Sequence, residues 1–421
     1  MSKSVAKGSQ FSRRNLLKWG AGSAALMLGA EVPFLANLPE GLLPIALAGE
    51  GETMLDSDEL IAARPSMTVL NRRPINMEAT AHILDDAVTP VSSLFVRNNG
   101  MLPDYDEHPA ESWTLTIDGE VDTPLTLTIA DLKRDFEVVK KRLWIECGGN
   151  GRKYYEPGAS GNQWSLGAIG CPEWTGVRLK DVLAKAGVKD GAVYTAHHSI
   201  DGHLSGDPEK VPISRGVPID KAMGDENLIV FEMNGEALPV LNGYPLRLMV
   251  PGWPGSCSQK WLKRIQIRDK VHDGTKMTGT AYRMPAYPVS PGTEVPKEDM
   301  VIIHEMPVKS LVTFPITGSR TARGESFEVR GHAWSGQGDV SKMQVSTDFG
   351  ATWQDATLDA PANKFAWQQW RAEITLDEAG YYEVWARATD HTGTAQPNVV
   401  PGWNPKGYLN NMQHRVAVFV V

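Results

Sequence analysis

"MPAYPVSPGTEVP", residues 284–296, sets four prolines and a glycine within thirteen residues. That density removes amide donors and fixes φ too often for a helix or a central strand. The stretch reads as a linker, and the sequence changes character across it. On its N-terminal side, strand-like pieces such as "WTLTIDG" (113–119) and "LIVFEMNG" (228–235) alternate with helical ones such as "LKDVLAKAGV" (179–188). That mixture predicts an α+β fold class. On its C-terminal side the apolar period becomes two: "SFEVRGHAW" (326–334), "MQVSTDFGATW" (343–353) and "YYEVWARATDHTG" (381–393) alternate between turn signals. This pattern predicts a small immunoglobulin-like β-sandwich. The expected organisation is a mixed α/β domain over residues 49–290, followed by the sandwich over 291–421.

The 421 residues are 42% hydrophobic and 22% charged, enough for two or three cores. A formal net charge of −8 argues against a nucleic-acid partner, and a protein that docks by charge should carry a basic patch. Residues 1–48 read as an address: "SRRNLLK" (12–18) sets Arg13 beside Arg14 ahead of an apolar stretch, and "PIALA" (44–48) ends in the small residues of a signal-peptidase site. A twin-arginine export signal predicts delivery of the folded chain to the periplasm, often around a cofactor already loaded. Its removal takes away Lys3, Lys7, Arg13, Arg14 and Lys18 against only Glu31 and Glu40, leaving a more acidic mature chain. No later apolar run reaches about 18 residues, so no membrane span is expected.

Three cysteines, Cys147, Cys171 and Cys257, leave at least one unpaired. There is no C-x-x-C-H for covalent haem and no C-x-x-C pair for zinc or iron–sulfur. Cys147 stands in "WIECGGNGRKYY" (144–155). A lone cysteine after a strand is commonly a small buried hydrophobe. Here Gly148, Gly149 and Gly151 permit unusual backbone angles and close approach of a bulky ligand, and Arg152 would help keep a thiolate ionised. A thiolate suits redox metals. A cysteine nucleophile would need a His and Asn that nothing in the sequence singles out.

Five ordered stretches, "FVRNNG" (95–100), "ECGGNGR" (146–152), "GNQWSLGAIGCPEWTGVRLKDVL" (161–183), "FEMNGEALPVLNGYPLRLMVPGWPGSCSQKWLKRI" (231–265) and "GTAYRMP" (279–285), resemble the sulfite oxidase family of molybdenum enzymes, in its bacterial periplasmic sulfite dehydrogenase branch. The resemblance spans the whole expected mature chain. It implies a molybdopterin-binding domain, a C-terminal dimerisation sandwich, and molybdenum and molybdopterin as cofactors. Cys147 matches the metal ligand. Arg97 and Arg152 match arginines facing the substrate anion, and Trp164 and Tyr282 the aromatics lining its pocket. Arg247 and Lys260 match residues holding the cofactor's phosphate and pterin edge, with Ser256 and Ser258 near them. Phe95, Asn99 and Asn242 fall at cofactor-contacting positions, and Asp201, in "HHSIDGHLSGD" (197–207), is a further pterin-contact candidate. The spacing of that cluster is too irregular for a second metal. Cys171 and Cys257 read as structural.

Departures accompany these matches. Asn99 and Asn242 stand where vertebrate relatives carry histidines, and Asp339 stands where eukaryotic relatives offer an arginine from the dimerisation domain, which makes the anion pocket less positive. The implied activity is oxidation of sulfite to sulfate, with electrons passing singly to a separate c-type cytochrome. The alternative within the fold is a sulfane dehydrogenase subunit acting on protein-bound sulfane sulfur. The resemblance also implies a second copy as the sandwich's partner, giving a homodimer.

Overall fold

The computed structural model describes residues 57–105 and 107–421, so the expected export signal lies outside the described residues. The N-terminal part is built on two larger sheets. One has four strands in the order Tyr194–Ser199, Leu262–Arg268, Thr114–Gly119, Leu125–Thr128, with a parallel central pair and antiparallel neighbours. The other runs Glu236–Ala237, Leu228–Met233, Glu173–Arg178, Val138–Arg142, with Arg247–Met249 also laddered onto Leu228–Met233. Leu115, Ile117, Ile265 and Ile267 of the first sheet share one core with Ile229 and Leu248 of the second. Each such buried side chain contributes about 1.5–3 kcal/mol.

The helical pattern is realised over Leu179–Ala186. Leu179, Val182, Leu183 and Ala186 form its buried face, and Gly187 ends it in the left-handed region, φ 71°, donating its N–H to the carbonyls of Leu183 and Ala184. A second helix, Ile129–Asp135, starts from a capping box in which Thr128 and Asp131 satisfy each other's backbone N–H. With few helices against many strands, the domain is α+β in class and sheet-dominated in content.

The C-terminal part is the expected sandwich. One sheet orders Lys309–Phe314, Ser326–Trp334, Gln368–Thr375, Thr357–Leu358; the other orders Ser319–Thr321, His414–Val420, Gly380–Asp390, Val340–Ser346, Gln354–Asp355. Gln368–Thr375 alternates buried and exposed along its whole length, the physical form of the period-two pattern. The proline-rich stretch has no regular structure beyond its first residues: Arg283–Pro285 pairs with Met300–Ile302, closing the linker as an exposed excursion.

The two parts are joined by a shared core. Trp144, Ile145 and Cys171 pack in the same buried cluster as Leu311, Trp334, Phe365 and Trp367. Backbone and side-chain bonds stitch it: Trp144 N–H to the Phe365 carbonyl at 3.0 Å, Trp367 Nε1 to the Ala87 carbonyl at 2.9 Å, and an Arg330–Asp85 ion pair at 2.7 Å.

Candidate active site

Cys147 follows a two-residue strand, Ile145–Glu146, paired with Ile169–Gly170. Its N–H donates to the Ala168 carbonyl at 2.9 Å, its carbonyl accepts from Asn150 N–H at 2.8 Å, and the chain turns through Gly151 at φ 89°. The glycines serve the protein's own packing more than ligand approach. A side chain at Gly149 would meet the Arg152 guanidinium at 2.3 Å and one at Gly151 would meet Asn410 at 2.8 Å; only Gly148 of the three lines the cavity. The residue before Cys147 is wholly buried. Glu146 accepts from Lys309 Nζ at 2.5 Å, Asn150 Nδ2 at 2.9 Å and Trp334 Nε1 at 2.9 Å, so the sandwich neutralises a carboxylate one residue from the thiol.

Cys147 sits in the wall of a partly enclosed cavity. Of the residues expected at the site, Phe95, Arg97, Asn99, Cys147, Asp201, Asn242, Arg247, Ser256, Ser258, Lys260 and Tyr282 line it together. Two do not. Trp164 is fully buried one layer back, edge-to-face against Phe95 at 6.3 Å. Arg152 is buried with Nε donating to the Lys406 carbonyl at 2.7 Å and Nη1 to the Asn162 carbonyl at 2.8 Å. Its position is fixed by the loops around it, and it supports the Cys147 turn from outside the lining. Asp339 is exposed and away from the cavity.

One end of the cavity concentrates buried positive charge. Arg247 donates to the Asn242 carbonyl at 2.9 Å, and burial brings its guanidinium down to about 9. Lys260 donates to the Leu241 carbonyl at 2.9 Å and to Asn98 Oδ1; burial first, then Arg247, push its ammonium well below the usual lysine range. Arg64 reaches Asn242 Oδ1 at 2.8 Å and is lowered to about 10 by burial. The carboxyl opposing them is Asp201, raised to about 6 by burial and bonded by the Ser199 hydroxyl, which in turn accepts from Gln259 Nε2 at 2.7 Å. These cations donate to neutral oxygens, and a charge so placed is costly without an anionic partner.

Around the same end, Arg247 Nε, Asn98 Nδ2, Ser256 Oγ and Gln259 Oε1 are buried without a hydrogen-bond partner. A polar, phosphate-bearing ligand satisfies such a set, and Cys147 supplies the soft sulfur; molybdopterin therefore fits the residues present. At the other end, Asn99 Oδ1 gathers three donors: Arg97 Nη2 at 2.8 Å, Lys276 Nζ at 3.1 Å and the Tyr282 hydroxyl at 3.4 Å. Tyr282 holds φ at 53°, unusual for a residue with a side chain.

Several contributors carried no clear sequence signal. Gln259 and Asn98 lie inside quoted motifs but are neutral amides, and Arg64 and Lys276 lie outside every motif. Tyr408 comes from the sandwich and stacks on Tyr282, ring centroids 5.7 Å apart at 17°. The other cysteines are structural as expected: all three are free, Cys171 and Cys257 lie in hydrophobic cores, and burial pushes the Cys171 thiol up to about 12. In the 197–207 cluster, His197 is spent on Thr195 Oγ1 at 2.8 Å, and among the described residues no group of three or more His, Cys, Asp or Glu is placed to hold a metal.

This constellation, a cavity with one wall thiol and a buried cationic end, joined to a sandwich, defines a molybdopterin oxidoreductase. Residues 99–276 match the family described as "Oxidoreductase molybdopterin binding domain" and residues 300–421 the "Mo-co oxidoreductase dimerisation domain". The chain is 31% identical to sulfite oxidase of Gallus gallus over 362 residues, 83% of this chain and 77% of that one. It is 33% identical to mitochondrial sulfite oxidase of Homo sapiens, covering 85% of this chain and 66% of that longer protein. It matches the sulfane dehydrogenase SoxCD of Paracoccus pantotrophus with a TM-score of 0.69 at 26% identity, covering 92% of this chain and 96% of that one. The chain belongs to the sulfite oxidase family, and the molybdenum cofactor is its cofactor.

Proposed function

We propose that this chain oxidises sulfite to sulfate in the periplasm and passes the electrons singly to a separate c-type cytochrome. The observation that carries the reading is Cys147 in the wall of one cavity that also holds the buried cations Arg247 and Lys260 and the donors Arg97 and Tyr282. Relatives of the same family bear the name sulfite oxidase. When bound, the molybdenum cofactor supplies two-electron oxygen-atom transfer and holds the electrons between exits.

The chain's own residues do the rest. Arg247, Lys260, Ser256, Ser258 and Gln259 would hold the cofactor's phosphate and pterin, and Cys147 would anchor the metal. Arg97 offers a cationic donor to the oxygens of a doubly charged oxyanion, its fork suited to two at once, and Lys276 braces the Asn99 beside it. The Tyr282 hydroxyl adds a neutral donor, and its present acceptor, Asn99 Oδ1, shows the reach of that group. Phe95, Leu94, Ile145 and Leu241 make the remaining wall apolar, which strengthens each of these interactions. The export signal, cytochrome acceptor and homodimer belong to the same proposal. They rest on the paired arginines, on the lack of any haem-attachment motif, and on the dimerisation-domain match.

Metal analysis of the purified protein, combined with sulfite-dependent reduction of cytochrome c, tests the reading. About one molybdenum per chain with turnover is the expected result; molybdenum without turnover on free sulfite overturns it. The likeness to SoxCD over nearly the full length of both chains favours protein-bound sulfane sulfur as the second reading, and that second outcome would select it.

A further inference from the structure

Residues 402–411 of the sandwich cross to the Cys147 turn. Leu409 N–H donates to the Gly148 carbonyl at 2.9 Å, Asn410 Nδ2 to the Gly151 carbonyl at 2.8 Å, and the Tyr155 hydroxyl to the Tyr408 carbonyl at 2.7 Å. The loop is itself braced. Buried Asn404 accepts from Tyr408 N–H and donates to the Tyr408 carbonyl, both at 3.0 Å. Gly407 stands at φ 57°, where an added side chain would strike Arg152 at 2.7 Å.

What this brace holds is Tyr408, buried in a small cluster with Tyr282, Ile213 and Ile303. The Tyr408 hydroxyl accepts from the Tyr282 backbone N–H at 3.2 Å, while Ile303 N–H donates to the Tyr282 carbonyl at 3.2 Å. Both backbone groups of a residue at φ 53° are therefore pinned from outside, the condition under which an unfavourable backbone angle persists. The Tyr408 ring also lies parallel to the Tyr282 ring and carries the Arg152 guanidinium 5.1 Å from its centroid.

We infer that Tyr408 is a positioning residue: through its hydroxyl and its ring, the sandwich sets the angle at which Tyr282 presents its own hydroxyl to the cavity. This rests on the functional reading above for the role of Tyr282. The test uses the molybdenum-loaded enzyme with Tyr408→Phe, which keeps the stack and removes the acceptor, and Tyr408→Leu, which removes both. With molybdenum content equal to wild type, kcat/KM for sulfite falls about 3–10-fold in the first and about 30-fold or more in the second. In a Tyr282→Phe background the Tyr408→Phe step costs less than about 2-fold, because the hydroxyl it aims is gone.

A second readout does not need turnover. Electron paramagnetic resonance of chemically half-reduced enzyme is expected to show shifted molybdenum g-values in Tyr408→Phe, reporting a moved neighbour at the metal. Unchanged g-values with unchanged kcat/KM overturn the inference, as does an equal loss in both backgrounds, which marks a role independent of Tyr282. If wild type shows no sulfite turnover, the functional reading fails, and the g-values alone decide for Tyr408: shifted sustains the role and unshifted overturns it.

Discussion

At the end of the cavity marked by Arg247 and Lys260, most contacts arrive from one stretch, Asn242 to Lys260, and its charges are met by nearby carbonyls and amides. At the end marked by Tyr282, neighbours come from Arg97, Lys276 and Tyr408, and the last belongs to the other domain. The first group is an anion cradle centred on one stretch, with Asn98 and Asp201 completing it. The second exists only when distant parts of the chain are docked, so it answers to tertiary packing, and changes at the two ends should fail in different ways.

Cys147 lines the same cavity, and Cys147→Ser gives the largest expected effect: sulfite-dependent cytochrome reduction falls by on the order of 1,000-fold or more, since the hydroxyl is a poor substitute for a soft ligand. Next is Glu146→Gln, which leaves Lys309 as an uncompensated buried cation; unfolding measured by denaturant should show a loss of about 3–5 kcal/mol, and Glu146→Leu with Lys309→Met should recover most of it. Arg247→Met sharpens the contrast between ends. It should lower cofactor retention, read as molybdenum per chain after dialysis, by roughly 10- to 100-fold in affinity, while KM of the loaded fraction stays near wild type.

The smallest effect concerns pH. His332, stacked on Trp367, and His272 are each held near 4 by burial, below the ordinary histidine value. Their folded state binds protons less readily than the unfolded chain, so stability is present above about pH 6.5 and is lost as pH falls toward 4, by about 1–2 kcal/mol per histidine. Asp201, raised to about 6, has the opposite sign: between about pH 4 and 6 the unfolded chain gives up that proton first, and stability falls as pH rises. Thermal melts at pH 5 and 7 should show a higher midpoint at pH 7, a smaller difference in His332→Gln and a larger one in Asp201→Asn.

The same contrast explains what the sequence made legible. Proline density at 284–296 and the change of apolar period separated two kinds of packing because both are local properties. The cradle was readable because its residues cluster in contiguous motifs. How Arg152 is held was not readable, because its carbonyl partners include Lys406, 254 positions away, and nothing in "ECGGNGR" encodes that meeting. Tyr408 and Lys309 were silent for the same reason: an ordinary Tyr and Lys in a sandwich acquire meaning only from what they are folded against. Gln259 sat in plain view between Ser258 and Lys260, but a neutral amide gives no charge pattern to notice.

The burial of Glu146 against Lys309 and Trp334 makes the wall that carries Cys147 depend on a docked sandwich. Strand His414–Val420 is an inner strand of its sheet, paired on both sides, so the sandwich is complete only when that strand is in place. Until then the carboxylate beside Cys147 lacks its counter-charge and the turn that presents the thiol lacks its brace.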